Sequence, residues 1–170
     1  TVIFETGMLP IQEPFSDLIL ETPGGLIKAR AFCKEGKVCK VELENLPSFV
    51  YRKDSFIEID KIGTLKVSLA FGGDSFVFVE AKDLGFTLNP DEARDLVEFG
   101  MKITTSANEQ IGFKHPIIDG WEHISFCQFT LPVYRDMQKR VVGKNTVVIQ
   151  PGKLDRSPCG TGCSARMALL

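Results

Sequence analysis

Leu154-Asp155-Arg156-Ser157-Pro158-Cys159-Gly160-Thr161-Gly162-Cys163-Ser164-Ala165-Arg166-Met167-Ala168 is the stretch from which the rest of the chain is best read. Pro158 cannot continue a helix from upstream but suits a helix start. Gly160 and Gly162 let the backbone approach a ligand closely and leave amide N–H groups uncovered. From Ser164 onward the composition is helical. Cys159 is therefore expected at or just before a helix N-terminus. Unpaired N–H donors and the positive end of the helix dipole meet there. They are expected to lower the thiol pKa and to offer a site for an anion such as a carboxylate. Asp155, four residues earlier, can accept hydrogen bonds from an ammonium group. Together these groups describe a site for an amino acid, with a base aimed at its α-proton. Two other readings compete. A lone cysteine is often a small buried hydrophobe, and a glycine-rich turn can cradle a phosphate. Against the second, no lysine follows the glycines in the order that a phosphate loop needs, and the spacing does not match a dinucleotide fingerprint.

Outward from this segment, the chain has the bulk character of a globular protein. Its 170 residues suffice for one domain or two small ones. Hydrophobic residues make up 44% and charged residues 25%, with a net charge of −2. No run of lysine or arginine marks a nucleic-acid or membrane face, and no apolar stretch has the length of a membrane span. The five cysteines, at irregular spacing, are poor material for a disulfide framework. A reducing, cytoplasmic compartment is expected. Cys159 and Cys163 lack a second pair at ligand spacing, so no metal is expected. Both ends of the sequence look cut: it opens on Thr1 and stops inside the apolar run Met167-Ala168-Leu169-Leu170.

Between the ends, the pattern is mixed α and β and rich in strands. Val2–Met8 reads as the end of a helix stopped by Gly7. Asp17–Glu21, Leu26–Ala31, Val38–Leu43, Phe49–Arg52 and Phe56–Ile59 read as short strands, several with apolar and polar residues alternating. Pro23-Gly24-Gly25 and Glu35-Gly36-Lys37 fit hairpin turns. Thr64–Phe71, Phe76–Val79, His123–Thr130 and Thr146–Gln150 are further strands. Pro90–Asn108 predicts one amphipathic helix with Asn89 as its N-cap. The rhythm is not the regular βαβ repeat of a doubly wound sheet.

The segment Asp155–Gly162, continued by Ser164–Ala168, closely resembles the second catalytic motif of the proline racemase family. Glu5-Thr6-Gly7-Met8-Leu9-Pro10, Glu21-Thr22-Pro23-Gly24-Gly25, Asn45-Leu46-Pro47-Ser48-Phe49 and Ala70-Phe71-Gly72-Gly73 are similar to family landmarks in the family's order. The resemblance implies an α/β (α+β) diaminopimelate-epimerase-like fold. That is two similar domains, each a curved sheet around a central helix, both incomplete in this sequence. The expected division is residues 1–52 and 53–170. The resemblance further implies an enzyme without cofactors in which Cys159 is the second of two acid/base residues, the first lying upstream of Thr1. Asp155 and the amides of Gly160 and Thr161 would hold the amine and carboxylate of the substrate, and His123 would touch it from a nearby strand. A satisfied strand histidine is an equal reading of His123. Family members resemble homodimers acting on a small molecule, proline or hydroxyproline.

Two thiols on opposite faces of the α-carbon allow racemisation or epimerisation. A serine or threonine as the other residue disfavours proton return, so the carbanion would expel a 3-hydroxyl instead. Several positions depart from the racemase pattern. Asp74-Ser75-Phe76 follows the paired glycines, and Cys163 stands where threonine is usual; Cys163 is expected to pack the helix. Asn108-Glu109-Gln110, His115-Pro116 and His123–Gln128 resemble the branch that dehydrates trans-3-hydroxy-L-proline to pyrroline-2-carboxylate. The expectation leans to that branch, with proline racemase or 4-hydroxyproline 2-epimerase as the alternative. A non-catalytic module that binds an amino acid is the reading from another class.

Overall fold

Glu35 and Gly36 both take positive φ, 53° and 70°, as a two-residue hairpin turn compatible with strand twist demands. This turn and the one at Pro23-Gly24 join β1 (Phe15–Thr22), β2 (Gly25–Lys34) and β3 (Lys37–Glu44) into an antiparallel sheet of order β1-β2-β3. Ahead of it stands α1 (Val2–Glu5), a single turn that ends before Gly7 at φ 74°. Phe4 of α1 packs on Ala31 and Cys33 of β2. The computed structural model describes all residues, 1–170, and divides them into two units, Thr1–Leu46 and Pro47–Leu170. The division expected at 52/53 would cut β4 (Phe49–Ile59), which pairs along its length with β5 (Gly63–Phe71). The sequence suggests two strands here because Lys53-Asp54-Ser55 breaks the alternation. The chain instead bulges: register shifts fall on both sides of Arg52, Asp54 sits at φ 51°, and its N–H donates to Ser68 Oγ at 3.1 Å.

The second unit continues through β6 (Ser75–Glu80), a 3₁₀ turn, α2 (Ala93–Gln110), β7 (Phe126–Thr130), the short ladder β8 (Tyr134–Arg135) with β9 (Val141–Val142), β10 (Asn145–Ile149), β11 (Lys153–Leu154) and α3 (Gly160–Leu169). Six strands form one sheet of order β11-β10-β7-β6-β5-β4. All neighbours are antiparallel except β6 and β7, whose parallel pairing requires the crossover that α2 supplies. The helix expected over 90–108 starts later, because Pro90–Glu92 forms a 3₁₀ turn first. There the Glu92 carboxylate accepts the N–H groups of Thr87 and Asn89 at 3.0 Å each. Those bonds hold its pKa below the usual range, Asn89 first.

The period of two along each strand assigns the faces of the sheet. Val77, Cys127, Phe129 and Val148 point to the side of α2, where Gly100 lies so close that a β-carbon would sit 2.6 Å from Val148. Ala70, Phe76, Phe78 and Val147 point the other way and form a cluster with Cys159 and Ala165 of the α3 region. Arg166 secures α3 from the far side. Its guanidinium donates to the carbonyls of Lys144 and Leu131 and to Asn145 Oδ1. No helix is long and apolar enough to cross a membrane.

Candidate active site at the start of the last helix

The approach to α3 is fixed by side chains that the sequence places two apart. Asp155 leaves the sheet with its N–H on the Val147 carbonyl at 2.9 Å. Its carboxylate accepts the Ser157 N–H at 2.9 Å and the Ser157 hydroxyl at 2.8 Å. Ser157 Oγ in turn accepts the Cys159 N–H at 3.0 Å. This Asx-type relay joins residues two apart in sequence. It delivers Cys159 to the N-cap position, where the Cys163 N–H reaches its carbonyl at 2.8 Å.

Cys159 adopts φ 56° and ψ 84°, a left-handed conformation that side chains rarely take. That geometry turns its side chain inward among the apolar residues of the sheet, leaving it 8% exposed. The thiol pKa is raised, opposite to the expectation from the helix N-terminus. Burial is the largest cause, and the Asp155 carboxylate adds to it by charge and by accepting the S–H hydrogen bond. The Gly162 N–H and the Thr161 hydroxyl donate to the sulfur and pull the other way, but do not prevail. The end of a helix offers only a partial charge, whereas removal of the sulfur from water acts on the whole charge. Asp155 itself is held below the usual carboxylate range, chiefly by the Ser157 N–H. The resting pair is thus a carboxylate and a protonated thiol.

The two glycines of the motif differ. A β-carbon at Gly160 would meet nothing within 4 Å, so the first turn of α3 is open to a ligand on that side. At Gly162 it would lie 2.4 Å from Gln128 Oε1 and 3.0 Å from Cys159 Sγ, so a side chain there would have to displace both. Gly72, between β5 and β6, is pressed onto the same turn: its β-carbon would stand 2.3 Å from both Thr161 O and Ala165 N. Gly72, the first of the family-like pair, therefore serves to seat the helix. Cys163 donates its S–H to the Pro158 carbonyl at 3.0 Å, a structural contact. A cavity of about 410 Å³, lined by Lys53, Lys66, Glu80 and Arg166 among others, opens toward the other end of α3 and does not reach Cys159.

Asp155, Cys159, Gly160 and Thr161 are brought together, and His123 belongs to a neighbouring group. It is not on a strand, because β7 begins only at Phe126. The Asn108 side chain accepts the Ile124 N–H at 2.8 Å and donates to the Ile124 carbonyl at 2.9 Å, taking the groups that a ladder would pair. The His123 ring is exposed and stacks on Trp121, centroids 5.9 Å apart and planes 2° from parallel. Its carbonyl accepts the Ser75 hydroxyl at 2.7 Å. Asp74 is the nearby carboxylate, its pKa raised by burial and lowered in part by the Ser125 hydroxyl, the Ser75 N–H and His123. Sequence reasoning noted Asp74 only as a departure and missed Ser157 and Gln128. The spacing of Asp155, Ser157 and Cys159 carries a readable turn signal; the burial of Gln128 does not.

A sheet with α3 on one face and α2 on the other, and a cysteine at the head of the inner helix, matches the diaminopimelate-epimerase-like fold. The chain belongs to the proline racemase family, whose sequence profile, described as "Proline racemase", matches residues 1–170. It is similar to a hydroxyproline epimerase from Agrobacterium vitis, solved with bound trans-4-hydroxy-L-proline, at 38% identity and a TM-score of 0.87. It is also similar to a probable proline racemase from Agrobacterium radiobacter K84, solved with bound carbonate, at 33% identity and a TM-score of 0.88. Both matches cover 100% of this chain and 48% of the other, so the chain spans about half the length of these structures.

Proposed function

We propose that this chain supplies one of the two acid/base groups of an enzyme that removes and returns the α-proton of proline or a hydroxyproline. The observation that carries the reading is Cys159 at the N-cap of α3, delivered there by the Asp155–Ser157–Cys159 turn and next to the open face at Gly160. A base on the opposite face takes the α-proton. The electron pair left on carbon accepts the S–H proton of Cys159, which becomes a thiolate, and the configuration inverts. In the reverse direction that thiolate is the base. The amides of Gly160 and Thr161 hold the carboxylate of the substrate, and Asp155 accepts from its ammonium. His123 closes one side of the ring. Electrostatic stabilisation by these fixed donors lowers the barrier for a very weak carbon acid.

Two outcomes share this first step. In epimerisation, the proton returns from the far face. In dehydration of trans-3-hydroxy-L-proline, the electron pair expels the 3-hydroxyl, which leaves as water, and pyrroline-2-carboxylate forms. Epimerisation is supported by the thiol at position 159 and by the likeness to a hydroxyproline epimerase. Three of the residues resembling the dehydratase branch are engaged in packing. His115 is buried and accepts the N–H groups of Ile117 and Ile118, Asn108 braces Ile124, and Cys127 is fully buried.

The test is incubation of the full-length protein in heavy water with L-proline, trans-4-hydroxy-L-proline and trans-3-hydroxy-L-proline in turn. Deuterium at the α-carbon with appearance of the epimer supports the two-thiol reading. Formation of pyrroline-2-carboxylate alone supports dehydration. Binding of all three without exchange or product would leave a non-catalytic binding module, and a Cys159→Ser variant as active as the wild type would overturn the role of the thiol.

A further inference from the structure

Gln128 lies in the middle of β7, is 0% exposed, and neither atom of its side-chain amide has a hydrogen-bond partner. An unpaired buried amide is costly, and native cores rarely contain one without a reason. Its position narrows the reason. Gln128 pairs with Phe78 of β6 and Val147 of β10, and both of these belong to the apolar cluster around Cys159. It is the polar residue between these two apolar neighbours. Its amide and the Cys159 sulfur also flank one point, the place where a Gly162 side chain would begin, at 2.4 Å and 3.0 Å respectively.

We infer that Gln128 is a positioning residue that stabilises the thiolate form of Cys159 by donating its side-chain N–H toward the sulfur from the sheet side. The orientation of an amide is interchangeable by a half-turn, which presents nitrogen in place of oxygen. While the sulfur carries its proton, the thiol donates to Asp155 and the amide has no partner. Once the proton has gone to carbon, the sulfur becomes an acceptor, and a donor that a turn of the nearby amide can supply is worth more inside the protein than in water. The cost of the orphaned amide in the resting state is recovered only when the sulfur is charged. The other groups acting on the sulfur are the Gly162 N–H and Thr161 hydroxyl from α3 and the Asp155 carboxylate from the preceding turn. From β5, β6 and β10, Ala70, Phe76, Phe78, Val147 and Ile149 belong to or pack on the cluster that holds it, and none of these titrates.

This inference rests on Cys159 as the acid/base group, but its test does not require turnover. In the full-length protein, alkylation of Cys159 by iodoacetamide is followed against pH at the peptide level, so that Cys39 and Cys163 do not interfere. Gln128→Met preserves length and removes the amide. Loss of one hydrogen bond to a charged sulfur is expected to slow alkylation at neutral pH roughly tenfold and to move its midpoint upward. Thermal stability should hold or rise, since an unsatisfied polar group is gone. If the variant is less stable, Gln128→Leu serves as the second probe of the same contrast. Superposable pH profiles in a folded variant overturn the inference, as does a slowing that tracks loss of stability in both variants. Should the protein exchange no α-proton at all while the alkylation midpoint still moves, the proposed function fails and the positioning role stands.

Discussion

Gly72→Ala isolates steric fit from backbone conformation. Gly72 is absent from the positive-φ positions, so alanine can adopt its backbone geometry. On conformational entropy alone the change should stabilise by about 0.4–1 kcal/mol. The added methyl, however, would stand 2.3 Å from Thr161 O, 2.3 Å from Ala165 N and 2.9 Å from Ala165 Cα. All three are backbone atoms of α3, so relief requires moving the helix, not rotating a side chain. Overpacking of a close-packed interior costs about 1–3 kcal/mol, and rigid neighbours place this case at or above the upper end. A net loss of about 2–3 kcal/mol is expected, or roughly 4–12 °C in thermal midpoint for a chain of this size. Urea denaturation and differential scanning calorimetry on the full-length protein measure it. The control is Gly160→Ala, where the methyl meets open space and stability should stay within about 0.5 kcal/mol. A Gly72→Ala protein as stable as the wild type would refute the claim that this turn bears directly on the helix carrying the thiol.

Other outcomes follow from the same geometry. Asp155→Asn removes the negative charge that favours the protonated thiol, so the Cys159 alkylation midpoint should fall, with turnover lost because the charged partner of the ammonium is gone; an unchanged midpoint, read by peptide mass spectrometry, would contradict the pairing. Burial keeps the Cys127 and Cys159 thiols protonated in the folded chain. The folded state therefore binds these protons more tightly, and this stability is complete below the ordinary thiol value of 9.0 and falls as pH rises through it. Denaturation midpoints taken across that range should decline, and Cys127→Ala should flatten the decline. Asn108→Ala strands the backbone groups of Ile124 and is expected to cost about 2 kcal/mol in chemical denaturation, a loss that would be absent if the loop carrying His123 held itself in place.

The parts of the fold that were legible in the sequence are those set by local chemistry. Glu35-Gly36 declares its hairpin, Gly7 ends its helix, and Pro158 with the following glycines announces the start of α3. The Asp155–Cys159 segment was also readable, because its residues lie close in the chain and act on one another. What escaped depends on distant partners. Lys53-Asp54-Ser55 looks like an interruption until β5 is present to pair on both sides of it. His123 reads as a strand residue until Asn108, on a helix fifteen residues earlier in sequence, takes the backbone of Ile124. The direction of the Cys159 pKa was misjudged for the same reason. The helix end is visible in the sequence, but the apolar wall from Ala70, Phe76, Phe78 and Val147 is not.

The parallel pairing of β6 with β7 has a consequence for how the protein acquires its shape. Neighbours joined by hairpins can zip from the turn outward, whereas β7 cannot dock until everything from Ala81 to Ser125 has folded back across the sheet. Closing so long an excursion before any reward arrives slows assembly. On contact order the hairpin-linked β4–β6 meander is expected to form ahead of the β6–β7 pairing.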